Sequence, residues 1–276
     1  MPQKPQKIGI GKNNRRRIYM FTKKISDLAD ESFGLDLAKG EAFSDVKEYI
    51  SHGFGVRQAG LLGYSYHTVS GGQIWTSDTA ERQALCRLIA KIITAYCEAA
   101  PVTSVLTVGL GSSSVTADSL GPRTAERILV TDSVMHERGI AKMCAVVPGV
   151  SARTGIDTAA AVRAIAEQVK AELIITVDSL SAISSDRLCK VVQITNHGVI
   201  PGSAMSHSSG EISEKTMPCP VISVGVPTVI RADLLSGNEK DRSLLVSSVD
   251  TDIAVDCYAS IIGGAINLFH IGNTAG

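Results

Sequence analysis

Two short stretches place a carboxylate where an apolar run gives way to a loop. One is "VLTVGLGSSSVTADSLGP" (105–122), with Asp118, and the other is "ITVDSLSA" (175–182), with Asp178. Each aspartate opens the triplet Asp-Ser-Leu, and its small neighbours leave room for a ligand. Two carboxylates held close together cannot both ionise cheaply. One pKa rises, the pair shares a proton, and the ionised member can activate a trapped water while the protonated one serves as acid. That arrangement suits peptide-bond hydrolysis without a metal. Two other uses remain open on spacing alone: Asp118 could cap a helix beginning near Pro122, and Asp178 could bond loop amides.

A third candidate is His197 in "VQITNHGVIPGS" (192–203), which follows a strand and is expected at the same end of the sheet as the aspartates. It could be a loop histidine bonded to backbone, or it could join Asp118 and Asp178 in a two-carboxylate, one-histidine metal site. Ser119, Ser179, Asn196, His197 and Ser203 are the residues expected to line the cleft or support the pair. Other chemistries find less. "GLGSSS" lacks the third glycine of a dinucleotide loop, there is no phosphate-loop lysine, and no G-x-S-x-G marks a serine hydrolase. His136 falls in a predicted helix tail, where it suits the helix dipole better than catalysis.

The elements that must position these residues alternate. Helical spacing from Thr76 to Tyr96 precedes a strand, "SVLTVGL"; a helix is predicted over Pro122 to Arg138, then a strand, "MCAVVPGV". "DTAAAVRAIAEQVKA" reads as a helix begun by Asp157 or Thr158, and "ELIITVDSL", "KVVQIT" and "PVISVGVPTVI" read as further strands. A last helix runs from about Asp250 to Phe269. The near-continuous Val, Ile and Leu runs predict an α/β fold: a doubly wound, mostly parallel sheet with helices on both faces. If the strands holding Leu106, Ala145 and Ile175 lie in the order 2-1-3, the aspartates share the crevice where ligands of such sheets bind. Residues 18 to about 75 give only scattered strand-like pieces such as "GLLGYSYHTV".

Composition narrows the partners. Lys plus Arg and Asp plus Glu both number 27 and aromatics are 4%, so neither charge nor stacking favours nucleic acid. No run approaches the ~20 continuous apolar residues that span a bilayer, so no membrane partner is expected. The six cysteines are scattered without a C-x-x-C pair, which fits a reducing cytoplasm. Residues 1–25 form a basic arm, either a plain tail or a removable pro-segment. Residues 26–276 are expected to form a single domain.

Several stretches together resemble the germination protease family of spore-forming bacteria. "VGLGSSSVTADSLGP" is similar to that family's VGLGN-x-x-VTPDALGP, and "VVPGVSARTGIDT" to APGV-x-x-x-TGIET. "ITVDSLSA" is similar to AIDALAAR, "VQITNHGVIPGSAM" to IQI-x-DTGI-x-PGSGV, "VISVGVPTVI" to IAIGVPTVV, and "SDLADE" (26–31) to TDLA-x-E. The resemblance implies an atypical aspartic endopeptidase, with a fold related to the hydrogenase maturation proteases, that degrades small acid-soluble spore proteins during germination without a cofactor. It carries the catalytic aspartates onto Asp118 and Asp178. It also implies a zymogen whose pro-segment would be the arm, a homotetramer, and a location in the cytoplasm or spore core. The chain departs from the pattern at Ala117 (Pro), at Ser119 and Ser179 (both Ala), at "SAI" after the second aspartate, and at "NHG" in place of DTG. It is also shorter than typical members. Two alternatives stand beside this reading: a metal-dependent processing protease using Asp118, Asp178 and His197, and a non-catalytic relative that binds peptides.

Overall fold

The structure is a computed structural model that describes residues 27–29, 31, 44–61, 63–97, 101–131, 141–202 and 210–274. The basic arm, Ser26, His136 and Ser203 lie outside the described residues.

Three strands open the described chain: β1 (Ser44–Ser51), β2 (Phe54–Leu61) and β3 (Tyr64–Ser70). They form an antiparallel meander because their connections are too short for anything else. His52 and Gly53, both at positive φ, make the tight turn between β1 and β2. Helix α1 (Thr79–Tyr96) follows, capped by Asp78, whose carboxylate accepts from the Glu81 amide at 2.8 Å. Next come β4 (Ser104–Gly109), the short helix α2 (Leu120–Ala125) and β5 (Lys142–Val146). One helical turn, α3 (Ser151–Thr154), leads to α4 (Thr158–Val169), whose N-cap is Asp157. The chain ends with β6 (Leu173–Ala182), β7 (Val191–Thr195), β8 (Val221–Arg231), α5 (Ala232–Ser236), β9 (Leu245–Val246) and α6 (Thr251–Thr274).

All nine strands belong to one sheet in the order β1-β2-β3-β7-β8-β6-β4-β5, with β9 on β8. The order 2-1-3 expected for the strands of Leu106, Ala145 and Ile175 is present as β5-β4-β6. The sheet is mixed: β5, β4, β6 and β8 run parallel, whereas β7 and the meander are antiparallel. Helices α1 and α6 cover one face, packing on Val105, Ile175, Val177 and Ile222. Helix α4 covers the other, with Val162 and Ala166 against Leu106, Val108 and Ile174. Helix α6 is long and apolar enough to cross a bilayer by composition, but 67% of that window is buried inside the protein.

The helix expected over Pro122–Arg138 is shorter where described: α2 ends at Ala125. Asn267 of α6 takes the chain over there. Its side chain donates to the Arg127 carbonyl at 3.0 Å and accepts from the Leu129 amide at 2.9 Å, so those groups are satisfied without further helix. Residues 132–140 lie outside the described residues.

Candidate active site

Asp118 reaches its position through a loop laid directly on the sheet. After β4, Gly111 takes φ +107°, and a Cβ there would lie 2.8 Å from Asp118 Oδ1. The Ser112 amide donates to the Asp118 carbonyl at 2.9 Å, closing the loop. Thr116, Ala117 and Asp118 form a 3₁₀ turn, and the buried Ser119 donates its hydroxyl to the Thr116 carbonyl at 2.8 Å. Gly121 then lets α2 press onto the ends of β4 and β6, where a Cβ would lie 2.5 Å from the Val177 carbonyl oxygen. Arg153 of α3 braces the outside, donating to the hydroxyls of Ser112 and Ser114.

Asp118 does not cap α2. Ser119 stands at the N-cap position, and even it makes no side-chain cap bond. The Asp118 carboxyl is instead left with its charge disfavoured. Burial pushes its pKa up to about 6, opposed by the Ser112 amide.

Asp178 comes from β6 and needs no loop. Strand β4 stops at Gly109, opposite Val177, so Asp178 is the first β6 residue beyond its neighbour's end. Among the described residues its Oδ1 accepts a local bond, from the Ser179 amide at 2.8 Å. Burial is the largest cause raising its pKa well above the ordinary carboxylate value, followed by the negative charges of Asp118 and then Asp27. The two aspartates are therefore electrostatic neighbours at the carboxyl end of β4 and β6, at the crevice beside the strand-order reversal. Ser179 follows on the opposite face of β6, and its buried hydroxyl has no hydrogen-bond partner among the described residues.

His197 and Asn196 lie elsewhere, which corrects the expectation that they share this end. The error came from strand direction. Because β7 runs antiparallel to β8, Gln193 pairs with Gly225, level with Asp178, and Thr195 pairs with Ser223, level with Thr176. Each further residue of β7 moves toward the amino ends of the parallel strands, which puts His197 roughly 13 Å below Asp178 at the usual strand rise. There its ring packs edge-on to Tyr64, with centroids 4.5 Å apart. Asn196 accepts from the Ser65 amide at 2.8 Å, tying β7 to the start of β3. The set Asp118, Asp178 and His197 does not converge, and no group of three His, Cys, Asp or Glu among the described residues could hold a metal.

Two site contributors were not evident from residue types. Pairing of β6 with β8 slips between Leu180 and Ser181, leaving Thr228 as the extra residue of a bulge. Its hydroxyl donates to the Ala117 carbonyl at 2.6 Å, fastening the turn that carries Asp118. Nothing in the apolar run around Thr228 advertises this. Replacing it with Val keeps the shape and removes the donor. Thr228→Val is expected to cost only about 1 kcal/mol of stability while freeing the turn that carries Asp118; thermal melting checks this. The other contributor is Asp27, in the "SDLADE" stretch, which bonds Ser181 of β6 and whose negative charge adds to the rise at Asp178.

The sequence profile of the "Germination protease" peptidase family matches residues 44–242, most of the chain. The chain belongs to the germination protease family. It is 34% identical over 196 residues to a germination protease of Geobacillus sp. (strain WCH70), covering 68% of this chain and 53% of that protein. A germination protease of Clostridium tetani is 31% identical over 196 residues, 68% of this chain and 61% of its own. One from Clostridium acetobutylicum is 37% identical over 161 residues. The chain thus spans between about half and three fifths of the length of these germination proteases. Among solved structures, the NiFe hydrogenase maturation protease HycI from Thermococcus kodakarensis KOD1 aligns with 65% of this chain and 98% of its own, at 13% identity and a TM-score of 0.40.

Proposed function

We propose that this germination protease family member is an endopeptidase in which Asp118 and Asp178 activate water against a peptide bond. The observation that supports it most is the shared, charge-disfavouring environment of the two carboxyls at the carboxyl ends of β4 and β6. Burial raises Asp118 to about 6 and raises Asp178 well above the ordinary carboxylate value, and the charge of Asp118 adds to the rise at Asp178, so the two carboxyls favour holding one proton between them. In this reading Asp118 takes a proton from a water as its oxygen adds to the scissile carbonyl carbon. Asp178 gives its proton to the carbonyl oxygen, forming a neutral tetrahedral diol. Collapse breaks the C–N bond as Asp118 gives its proton to the amide nitrogen and one diol hydroxyl gives its proton to Asp178, releasing a carboxyl and an amine and returning the pair to its starting state.

The substrates proposed are the small acid-soluble spore proteins that the family resemblance implies, whose disordered chains can enter an open crevice as extended segments. The basic arm is proposed as a removable pro-segment, and the working protein as a homotetramer by the same resemblance, in the cytoplasm or spore core.

The test is a pH–rate profile with and without chelator. A proton-sharing pair gives a bell whose acid limb falls near pH 6, where Asp118 gains its proton, and whose alkaline limb marks loss of the proton from Asp178. EDTA is expected to leave the whole curve unchanged. A profile that EDTA abolishes, or one flat across pH 5 to 8, would contradict the pair.

A further inference from the structure

Helix α1 turns one face toward β2 and β3 through Leu88, Lys91, Ile92 and Ala95, spaced three and four apart. Between that face and the two strands lies a cavity of about 330 Å³. It stands well apart from the aspartate pair. His67 of β3 pairs with Ile194 of β7, Ile194 with Val224 of β8, and Val224 with Val177 of β6. Three strand spacings, roughly 14 Å, therefore separate His67 from β6.

His67 lines the cavity and is only 9% exposed. Its Nδ1 lies 2.8 Å from the Tyr96 hydroxyl, which in turn lies 3.0 Å from the Ser65 carbonyl oxygen and 3.4 Å from that of Ile194. Carbonyl oxygens can only accept, so the phenol gives its one proton to them. The phenol oxygen must then accept from His67, which puts the imidazole proton on Nδ1 and leaves Nε2 a bare acceptor. Nε2 has no partner among the described residues and stays open to the cavity. Burial pulls the pKa of the ring down to about 4, so the imidazole is neutral at pH 7 and keeps that lone pair.

Two further groups face the same space. Gln58 is the cross-strand neighbour of His67 on β2, and its side-chain amide makes no hydrogen bond among the described residues. Lys91 makes no ion pair among them, and none of their carboxylates lines the cavity to neutralise it. A buried acceptor is normally satisfied. Here the acceptor shares a small space with an amide and a cation, the groups that recognise a carboxylate with a donor beside it.

We propose that this cavity binds a small aliphatic carboxylate carrying a hydroxyl or amino donor on its α-carbon. The carboxylate pairs with Lys91 and accepts from the Gln58 amide, the α-substituent donates to His67 Nε2, and the aliphatic chain lies on Leu88, Ile92 and Ala95. Ligand pockets begin near this volume, which limits the occupant to the size of a single amino or hydroxy acid. The site is independent of the hydrolytic reading of Asp118 and Asp178.

The experiment titrates the full chain with three acids that share one carbon skeleton: L-leucine, 2-hydroxy-4-methylpentanoate and 4-methylpentanoate. Nitrogen-15 NMR of the histidine rings is expected to show His67 as the Nδ1–H tautomer and to shift its Nε2 resonance on binding. The better of the first two acids is expected to bind with a Kd on the order of 1 mM, and 4-methylpentanoate, which has no donor, about tenfold more weakly or worse. Tighter binding of leucine assigns the site to amino acids, and tighter binding of the hydroxy acid assigns it to hydroxy acids. His67→Asn keeps a donor near the Nδ1 position for Tyr96 and removes Nε2, so it is expected to lose the preference for α-substituted acids. Lys91→Met, at an exposed position, is expected to weaken all three acids about tenfold. No binding below ~10 mM, equal affinity for the three acids, or affinities unchanged in Lys91→Met overturns the proposal, as does an Nε2–H tautomer in the free protein. Should His67→Asn fail to fold, the acid series on the wild type and on Lys91→Met still decides it.

Discussion

Asp178→Asn is expected to lower peptide hydrolysis by about 10³-fold or more, and Asp118→Asn by a similar factor, while both variants fold and melt higher than the wild type at pH 8. Loss of rate follows because neither asparagine can share the pair's proton. The gain in stability follows from the same environment. A carboxyl whose pKa is raised on folding binds its proton more tightly in the native state than in the unfolded chain, so stability falls as pH rises between the two values. For Asp118 that window runs from the ordinary carboxylate value to about 6, and the cost is complete above it. The full shift corresponds to about 3 kcal/mol, and roughly half remains after allowing for its partial exposure to solvent. Asparagine has no charge to bury and avoids the cost. Melts at pH 8 are expected to favour Asp118→Asn by about 3 °C, with the gap closing near pH 4. Variants less stable than wild type at both pH values would make these carboxylates structural supports.

Gly121→Ala is expected to remove about 3 kcal/mol of stability or more, enough to leave much of the chain unfolded or insoluble. Its Cβ would overlap the amide nitrogen and carbonyl oxygen of Leu110 and approach the Val177 carbonyl oxygen to 2.5 Å. All of these atoms are backbone. The collision cannot be relieved by a rotamer change, and α2 would have to lift off the sheet, taking Asp118 with it. Denaturant unfolding of soluble protein measures the loss, with Gly237→Ala as a comparison. Gly237 ends α5 at φ +70° with open space around its Cβ position, so its cost is limited to left-handed backbone strain of about 1 kcal/mol. Equal stabilities for the two variants would contradict the close-approach argument.

The parallel half of the fold was legible because buried parallel strands are written as continuous runs of Val, Ile and Leu. "SVLTVGL", "ELIITVDSL" and "PVISVGVPTVI" each became a strand, and the order 2-1-3 followed from the usual winding of α/β units. The meander was harder to read. Its strands mix exposed Lys47 and Glu48 with glycines, and β1 is exposed along nearly all its length, so no apolar alternation marks it. Strand direction was the costly gap. "KVVQIT" reads as a strand in either orientation, and only its partners fix it as antiparallel to β8. That reversal carried Asn196 and His197 to the far end of the sheet.

At the site, Asp118 and Asp178 could be read because each is a lone carboxylate at the end of an apolar run. Thr228 could not, since its contribution depends on a bulge, which one-dimensional patterns do not contain. Asp27 stands between these cases. "SDLADE" resembles a family motif, yet nothing in its spacing says that Asp27 bonds Ser181, 154 residues further along the chain.

The most direct test is intact-mass spectrometry of a small acid-soluble spore protein after incubation with the purified chain, with and without residues 1–25, at pH 7 with EDTA. The Asp118→Asn and Asp178→Asn variants run alongside. The account predicts a few discrete products from the wild type in the presence of EDTA and intact substrate with either variant. Cleavage that persists in Asp118→Asn or Asp178→Asn, or that EDTA abolishes, would contradict it.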